Sequence, residues 1–316
     1  MNYSGLNAKV KAMQGRLLRA KHYEALCDAG TVAAFGTNLE NSPAYRAVFK
    51  DDAGQAYPRG QIEPRLRRSL YQDFARLIKF VTDVRLRQFL KCYFLKHEVH
   101  ILKARLAHIE TAADFMAGFS DTDFYPVLSP IYNEKTTLFQ LETQLDLHYY
   151  AQLHKSKNRL LNQTNRAVIN RLIGTEIDLQ NILRIYRLKT FYDLPQSQIY
   201  SSLLPYPHRL SVTQTHRLIQ ARDTAALDAE ISKTAYGRVF ARWPNPEEAT
   251  TWAMSGLYRA AFAGCFRSLA ATLGYLFYKE REIKNLVSIL EGIRYGLAPH
   301  EIMGYVHCLM KGDGTT

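Results

Sequence analysis

The pattern that decides the fold is clearest in residues 275–297, which read YLFYKEREIKNLVSILEGIRYGL. Apolar residues recur here at spacings of three and four, which places them on one face of an α-helix. Glu282 stands at the edge of this apolar stripe, one residue before Ile283 and three before Asn285. The stretch therefore predicts a long helix with one buried face and a polar pair at its rim.

Two earlier stretches of the chain have the same arrangement. Long helices are predicted over residues 83–110, 166–191 and 279–297, and their acids are Glu98, Asp178 and Glu282. The residues one, four and eight positions after each acid are apolar, which makes a buried stripe with the acid at its edge. These residues are Val99, Leu102, Leu106, Leu179, Ile182, Tyr186, Ile283, Leu286 and Leu290. Three positions after the acids, on the same flank, stand Ile101, Asn181 and Asn285.

A second set of positions recurs upstream of the acids. Thr31, Thr111 and Asp223 are predicted N-caps of short helices, because their side-chain oxygens can accept from first-turn N–H groups. Each cap is followed by two apolar residues, a hydroxyl residue and a tyrosine. In chain order these are Phe35, Leu39, Ser42 and Tyr45; Phe115, Phe119, Thr122 and Tyr125; and Leu227, Ile231, Thr234 and Tyr236. The spacing from hydroxyl to acid is 56 residues in the first two copies and 48 in the third.

We therefore predict an all-α protein of three similar helical repeats, at residues 1–111, 112–207 and 208–316. No run alternates apolar and polar residues as a strand would. The copies are few and long, so a closed body of three lobes is favoured over an open superhelix. Prolines are expected in the first turn of a long helix of each copy, with N-caps before two of them. The prolines are Pro64, Pro130 and Pro246, and the N-caps are Ser129 and Asn245.

Several stretches resemble one known family, the C subunits (d in eukaryotic complexes) of V-type and archaeal-type rotary ATPases. Residues 275–297 are similar to its signature, an aromatic and lysine-rich approach followed by acid, aliphatic, any residue, Asn and aliphatic. Residues 176–185 (EIDLQNILRI), 7–18 (NAKVKAMQGRLL) and 210–236 resemble other parts of the family. The resemblance covers nearly the whole chain. The first copy departs from it, because Ile101 stands where the family commonly has Asn.

This resemblance implies a pseudo-threefold funnel of helical lobes on the cytoplasmic side of a membrane rotor ring. Such a protein receives the foot of the central axle and joins the ATP-driven head to the ion-carrying ring. It has no catalytic residue and no cofactor. The expected partners are the central axle subunits and the proteolipid subunits of the ring.

The recurring acids and their neighbours have two interpretations. Each acid can accept hydrogen bonds from a neighbouring helix end or an arginine, which is a structural role. Alternatively, acid and Asn line the funnel and contact the axle. Under the second hypothesis the contact residues are Glu98, Asp178, Asn181, Glu282 and Asn285. A converging carboxylate site for catalysis is disfavoured, because acid and base would need unequal environments.

Contact with the ring is expected at loops and helix ends, where binding residues are common. The candidate segments are residues 51–68 and 193–209, which expose mixed charge and aromatic residues. In the first segment, Arg65, Arg67 and Arg68 are the predicted ring contacts.

Other functions are excluded or kept open by composition and motifs. The sequence has no GxxxxGK[ST] phosphate loop, and His97 and His100 are three apart rather than the four that zinc helices need. Arg259 and Arg267 interrupt the apolar run 257–278, which favours a buried helix over direct membrane insertion. The four cysteines (Cys27, Cys92, Cys265 and Cys308) are far apart, as expected of reduced thiols in a cytoplasmic protein.

The net charge of +12 supports a second hypothesis, a basic helical protein that binds nucleic acid or an anionic membrane. Between residues 59 and 105 there are twelve Lys or Arg and four Asp or Glu. These cations spread around a helical wheel, which favours solvated faces or an acidic protein partner over nucleic acid. An enzyme without recognisable motifs is a third class and would need a pocket with perturbed titratable groups.

Overall fold

The computed structural model describes residues 3–49, 62–133, 135–192, 194–243, 245–264 and 269–307. All regular secondary structure in these ranges is helical, so the all-α prediction is confirmed for them. The helices are α1 (Ser4–Gln14), α2 (Ala20–Cys27), α3 (Val32–Asn41), α4 (Arg46–Phe49), α5 (Ile62–Ile78), α6 (Val84–Leu106), α7 (Ala112–Phe119), α8 (Tyr125–Leu128), α9 (Leu138–Leu160), α10 (Gln163–Thr190), α11 (Gln196–Ser202), α12 (Val212–Gln220), α13 (Thr224–Ser232), α14 (Gly237–Arg242), α15 (Pro246–Gly264), α16 (Ala270–Arg294) and α17 (Pro299–Gly304).

The helix lengths recur in a fixed order, two short helices followed by two long ones. This order is found in α3–α6, α7–α10 and α13–α16. Two further short helices, α11 and α12, come between the second set and the third. In contrast, α6 is joined to α7 by only five residues, 107–111. This difference decides which of the three acids finds a partner.

The predicted N-caps of the three short helices are confirmed. Thr31 Oγ1 accepts from the Ala34 N–H at 3.2 Å, and Thr111 Oγ1 accepts from the Asp114 N–H at 3.1 Å. Asp223 Oδ1 accepts from the Ala226 N–H at 2.7 Å. The apolar residues that follow each cap are also buried, at 2% exposure or less. Each copy therefore contains a capped short helix that seats its two apolar residues in the core.

One predicted helix start is wrong. Ser129 caps the C-terminus of the short helix α8, and Pro130 follows it outside any helix. The long helix α9 begins later, at Leu138, where Thr137 and Gln140 form a capping box. This reciprocal pair of hydrogen bonds satisfies two free N–H groups, which a proline alone cannot do. Pro64 and Pro246 do lie in the first turns of α5 and α15, and Asn245 Oδ1 accepts from the Glu247 N–H.

The apolar run 257–278 is not the single buried helix that its composition predicts. It is divided between α15, which ends at Gly264, and α16, which begins at Ala270. The predicted helix at 279–297 accordingly starts nine residues earlier than expected. The other two predicted helices match α6 and α10 to within four residues at each end. Eight of the nine residues of the predicted apolar stripes are buried, and Tyr186 is half-buried.

The chain forms two compact units, Met1–Thr82 with Ser255–Thr316, and Asp83–Met254. In the first unit, α16 packs against α1, α2, α3 and α5. In the second unit, α9 packs along α6, and α10 contacts α9, α12 and α13. Each unit has its own apolar core, around Leu276 and Leu286 in the first and around Phe89 and Leu145 in the second.

A close backbone approach in the second unit explains one glycine. A Cβ atom at Gly237, the first residue of α14, would lie 2.2 Å from the carbonyl oxygen of Ser232. At Gly118 in α7, by comparison, a Cβ atom would meet nothing within 4 Å. The turn between α13 and α14 therefore needs glycine, whereas α7 does not.

We expect Gly237→Ala to lower the free energy of unfolding by about 1–3 kcal/mol, since the backbone must move to admit the methyl group. Gly118→Ala is the matched control and should raise it by up to about 1 kcal/mol, because alanine favours the helix. Urea unfolding followed by circular dichroism measures both. Equal effects of the two substitutions would contradict the assigned contact.

Candidate functional site

The acid of the second copy, Asp178 in α10, is fully buried and binds its own chain. Its Oδ1 accepts from the His208 N–H at 2.9 Å. Its Oδ2 accepts from the N–H groups of Arg209 and Leu210 at 2.7 and 3.2 Å, and from the Tyr236 hydroxyl at 2.5 Å. Four donors converge on one carboxylate, which is strong solvation for a buried charge. Asp178 thereby fixes the segment that leads into α12.

Asn181 holds the same segment a few residues earlier. Its Nδ2 donates to the Leu204 carbonyl at 3.0 Å, and its Oδ1 accepts from the Leu204 N–H at 2.8 Å. Gly174 lets the segment approach α10 closely, because a Cβ atom there would lie 2.7 Å from His208 Cβ. Residues 204–210 are therefore fastened to α10 at both ends.

The acid of the third copy, Glu282 in α16, has equivalent partners in the first unit. Its Oε2 accepts from the Leu18 N–H at 2.5 Å, and its Oε1 accepts from the Tyr45 hydroxyl at 2.6 Å. Lys279 Nζ donates to the same Oε1 at 2.8 Å and lies 3.8 Å from the Tyr45 ring centroid. The side chains of Glu282, Tyr45 and Lys279 are at most 2% exposed. Glu282 thus forms a buried ion pair as well as a backbone contact.

Asn285 completes the likeness between the two sites. Its Nδ2 donates to the His307 carbonyl at 3.0 Å, and its Oδ1 accepts from the His307 N–H at 3.2 Å. Acid and Asn, three positions apart, each hold a different point of the backbone, on one segment for Asp178 and Asn181 and on two segments for Glu282 and Asn285. We call this arrangement the acid–Asn clamp, formed by Asp178 with Asn181 and by Glu282 with Asn285.

The segments held by the two acids are also equivalent in sequence. Leu210 and Leu18 each stand thirteen residues before an N-cap, Asp223 and Thr31 respectively. In both clamps the acid accepts from a backbone segment that precedes two short helices, α12 and α13 or α2 and α3. It also accepts from the tyrosine that follows these two helices. The acid of the third copy reaches the start of the chain in this way. Asp178 and Glu282 thus have the structural role of hydrogen-bond acceptors, but their donors are backbone segments before α12 and α2 and tyrosine hydroxyls, rather than the helix ends or arginines that were predicted.

The first copy lacks the clamp. Within the described ranges, no hydrogen bond or ion pair to the half-buried Glu98 carboxylate is found, and Ile101 is 38% exposed. Burial raises the pKa of Glu98, and the nearby Asp123 raises it further. The five residues between α6 and α7 leave no segment like 204–210 to be held. Ile101 therefore replaces Asn where there is nothing for Asn to bind.

The tyrosines of the two clamps are donors at neutral pH. Burial raises the pKa of Tyr45 well above its ordinary value, and Glu282 adds to the effect. Burial and the hydrogen bond to Asp178 likewise raise the pKa of Tyr236. A protonated phenol gives its hydrogen to the carboxylate, so both tyrosines act as donors in the clamps.

The structure does not present the clamp side chains to the surface. Asp178, Asn181, Glu282 and Asn285 are at most 3% exposed, and their hydrogen-bonding atoms are taken by groups of the chain itself. Burial favours the structural interpretation of these four residues over direct contact with an axle. Direct contact stays a prediction.

The arginines predicted at the ring differ in their surroundings. Arg67 is exposed and pairs with Glu63 through Nε and Nη2 at 3.1 and 2.7 Å. Arg65 is half-buried and lies over the Phe49 ring, whereas Arg68 is exposed. Residues 51–61 and Asp193, which belong to the two candidate ring segments, lie outside the described residues.

Two exposed aromatic residues were missed by the sequence patterns. Phe191 is 72% exposed at the end of α10, and Tyr295 is 78% exposed at the end of α16. Each stands thirteen residues after the acid of its copy, Asp178 or Glu282. Extending the register of the repeat beyond the apolar stripe would have found them. Tyr192, next to Phe191, is also 67% exposed.

Cys27 and Cys92 are free thiols, while Cys265 and Cys308 lie outside the described residues. Within the described part of the chain, no three His, Cys, Asp or Glu residues are grouped to hold a metal ion. Among the described helices, none is both long enough and apolar enough to cross a membrane.

The fold and the clamps define an all-helical protein whose recurring acids bind its own backbone. Residues 6–114 and 104–305 match the family model described as ATP synthase (C/AC39) subunit. The chain therefore belongs to the ATP synthase (C/AC39) subunit family.

Relatives named as the C subunit of A-type ATP synthases agree with this assignment. The protein of Thermococcus onnurineus is 22% identical, over 95% of this chain and 88% of its own length. That of Desulfurococcus sp. strain SY is 23% identical, over 95% and 89%. The protein of Methanosphaera stadtmanae is 26% identical over 208 residues, which are 62% of this chain and 54% of that protein.

We expect the clamp to dominate the stability of the second unit. Asp178→Ala should lower the free energy of unfolding by at least about 3 kcal/mol, because each buried donor left without an acceptor costs about 1–3 kcal/mol. Tyr236→Phe removes one donor and keeps the other three, so it should cost about 1–2 kcal/mol. Chemical denaturation measures both variants.

The matched control is Glu98→Gln, which alters the acid that has no clamp. Its effect should stay within about 0.5 kcal/mol, as is usual for substitutions away from such networks. If Asp178→Ala proved as mild as Glu98→Gln, the assigned role of the clamp would be wrong.

Proposed function

We propose that this protein is the non-catalytic central-stalk subunit of a V/A-type rotary ATPase. In this role it is the socket that couples the central axle of the ATP-driven head to the membrane rotor ring during proton or sodium transport. The observation that carries the proposal is the family match over residues 6–114 and 104–305. The relatives named as the C subunit of A-type ATP synthases, aligned over most of the chain, support it.

The chemistry of the recurring acids supports a mechanical role. A catalytic carboxylate needs access to a substrate, but Asp178 and Glu282 are at most 2% exposed and saturated by donors of the chain. Hydrogen bonds to a buried charge are the stronger kind and are costly to break. Clamps of this kind stiffen the joints between helices, which suits a part that transmits torque.

The recurrence of the clamp also supports a pseudo-threefold funnel. Each clamp links the acid of one copy to the segment and tyrosine that open the next. Glu282 links the third copy to Leu18 and Tyr45 of the first, so the succession returns to its start. The proposal of a pseudo-threefold funnel rests on this recurrence in two of the three copies.

In such a funnel we expect the axle to contact residues at the ends of the long helices. Phe191 and Tyr295 occupy the same position in their copies, and both expose a large aromatic ring. Exposed aromatic residues are enriched at the centres of protein interfaces. We propose each of these two residues as a contact with the axle.

The test is binding of purified axle subunits to the full-length protein. Phe191→Ala combined with Tyr295→Ala should weaken binding about 30-fold or more, as expected for residues that dominate an interface. Val212→Ala is the control, because Val212 is 76% exposed but lies at the start of α12. If the double variant bound the axle subunits with unchanged affinity, Phe191 and Tyr295 would not be axle contacts. No binding of axle subunits by the wild type would overturn the proposed function itself.

The ring contact is tested by charge reversal in α5. Arg68→Glu should reduce retention on the detergent-solubilised ring most, since Arg68 is exposed, while Arg67 is already paired with Glu63. Arg65→Glu and Arg67→Glu complete the series, and Lys79→Glu near the end of α5 is the control. Retention that no substitution changes would exclude this segment from the interface.

The competing hypothesis, binding to nucleic acid or anionic membranes, rests on the net charge of +12. It predicts a salt-sensitive shift with duplex DNA or anionic vesicles at physiological ionic strength. Such a shift without retention of axle or ring would favour it over the rotary role.

A further inference from the structure

The second unit contains a cavity that the proposed function does not use. It lies between α9, α10 and residues 206–208 and has a volume of about 440 Å³. This size is within the usual range of small-molecule sites. Its apolar walls include Leu153, Ile169, Ile173 and Ile177.

A buried lysine lines this cavity. Lys157 in α9 is 8% exposed, and its Nζ donates to Asn170 Oδ1 at 2.5 Å. His154 Nδ1 lies 3.3 Å from the same Nζ. Among the described residues, no carboxylate lies within ion-pair distance of this ammonium, and none lines the cavity. A buried charge is ordinarily paired, so Lys157 is an exception that calls for an anion.

The neighbours of Lys157 do not neutralise it. Burial lowers the pKa of Lys157, and Arg166 lowers it further, because the surroundings disfavour positive charge. Burial and Lys157 lower the pKa of His154. The two ring nitrogens of His154 lie between donors, with Nδ1 3.3 Å from Lys157 Nζ and Nε2 2.9 Å from Asn158 Nδ2, and the tautomer sets which of them accepts. The polar wall thus has one positive charge and no negative one.

One residue that lines the cavity has a strained backbone. Tyr206, between Pro205 and Pro207, has a φ of +67°, which is unfavourable for a bulky side chain. Its ring stacks on His154 with centroids 3.7 Å apart. Asn181 holds Leu204 before it and Asp178 holds His208 after it. The clamp therefore imposes the backbone conformation that places Tyr206 in the wall of the cavity.

We infer that this cavity is a binding site for a small molecule that joins an oxyanion, a phosphate or a carboxylate, to an apolar or aromatic body. The ammonium of Lys157 pairs with the oxyanion. Asn170, whose oxygen accepts from Lys157, has its NH₂ group as a further donor. The isoleucines and Tyr206 contact the body of the ligand. A bare inorganic ion would leave those walls unfilled, and a neutral ligand would leave Lys157 unpaired.

The test is calorimetric titration of the full-length protein with matched probes. Phenyl phosphate and benzoate contain both parts of the ligand and distinguish a phosphate from a carboxylate. Inorganic phosphate lacks the body, and phenol lacks the charge. At least one of the first two should bind tenfold or more tightly than either control. No binding of phenyl phosphate or benzoate at millimolar concentration would overturn the inference.

Three variants assign the binding to Lys157. Lys157→Met keeps the length of the side chain and should weaken binding by tenfold or more, whereas Lys155→Met, at a position outside the cavity wall, should not. Asn170→Asp supplies a carboxylate to Lys157 at an exposed position and should abolish binding while the fold is retained. This variant decides the matter if Lys157→Met fails to fold. Equal affinity in the wild type and Asn170→Asp would contradict the site.

Discussion

A buried carboxylate must receive its hydrogen bonds from the protein, and this constraint organises both compact units. Asp178 and Glu282 each take donors from a backbone segment and from a tyrosine that are distant in sequence. A helix can place the acid, but only the arriving segment can satisfy it. The cost of a missing partner makes the position of that segment a condition of folding. The Asn three residues later holds a second point of backbone and makes the attachment rigid.

The same constraint accounts for what differs among the copies. Where short helices intervene between copies, as α11 and α12 do after α10, the chain has backbone to return to the acid. Where α7 follows α6 after five residues, no such segment exists, and Ile101 occupies the position of the Asn. Residues 1–82 of the first copy and residues 255–316 of the third share one unit, in which Leu18 donates to Glu282. The bounds of the sequence repeats therefore differ from the bounds of the compact units.

The clamp of the second unit also affects the cavity that Lys157 lines. By holding residues 204 and 208–210, it places Tyr206 in a strained conformation over His154. A surface loop would ordinarily relax to a negative φ, so the strain is maintained by the stronger bonds on either side. Lys157 and several isoleucines line the same cavity as Tyr206. The clamp therefore fastens residues 204–210 to α10 and also positions one residue of the cavity wall.

Local pattern was sufficient for the helical class, the three caps and the recurring acids, because hydrophobic period and capping depend on residues close in sequence. It failed at Pro130, where the capping box of Thr137 and Gln140 was the stronger start signal. Local pattern also predicted one helix over the apolar run 257–278, where the structure has parts of two, α15 and α16. The same apolar spacing is compatible with one helix or with two. The partners of Asp178 and Glu282 and the cavity at Lys157 were decided only by tertiary structure. Their donors and walls come from segments up to 264 residues apart, and no spacing within one helix encodes which backbone will arrive.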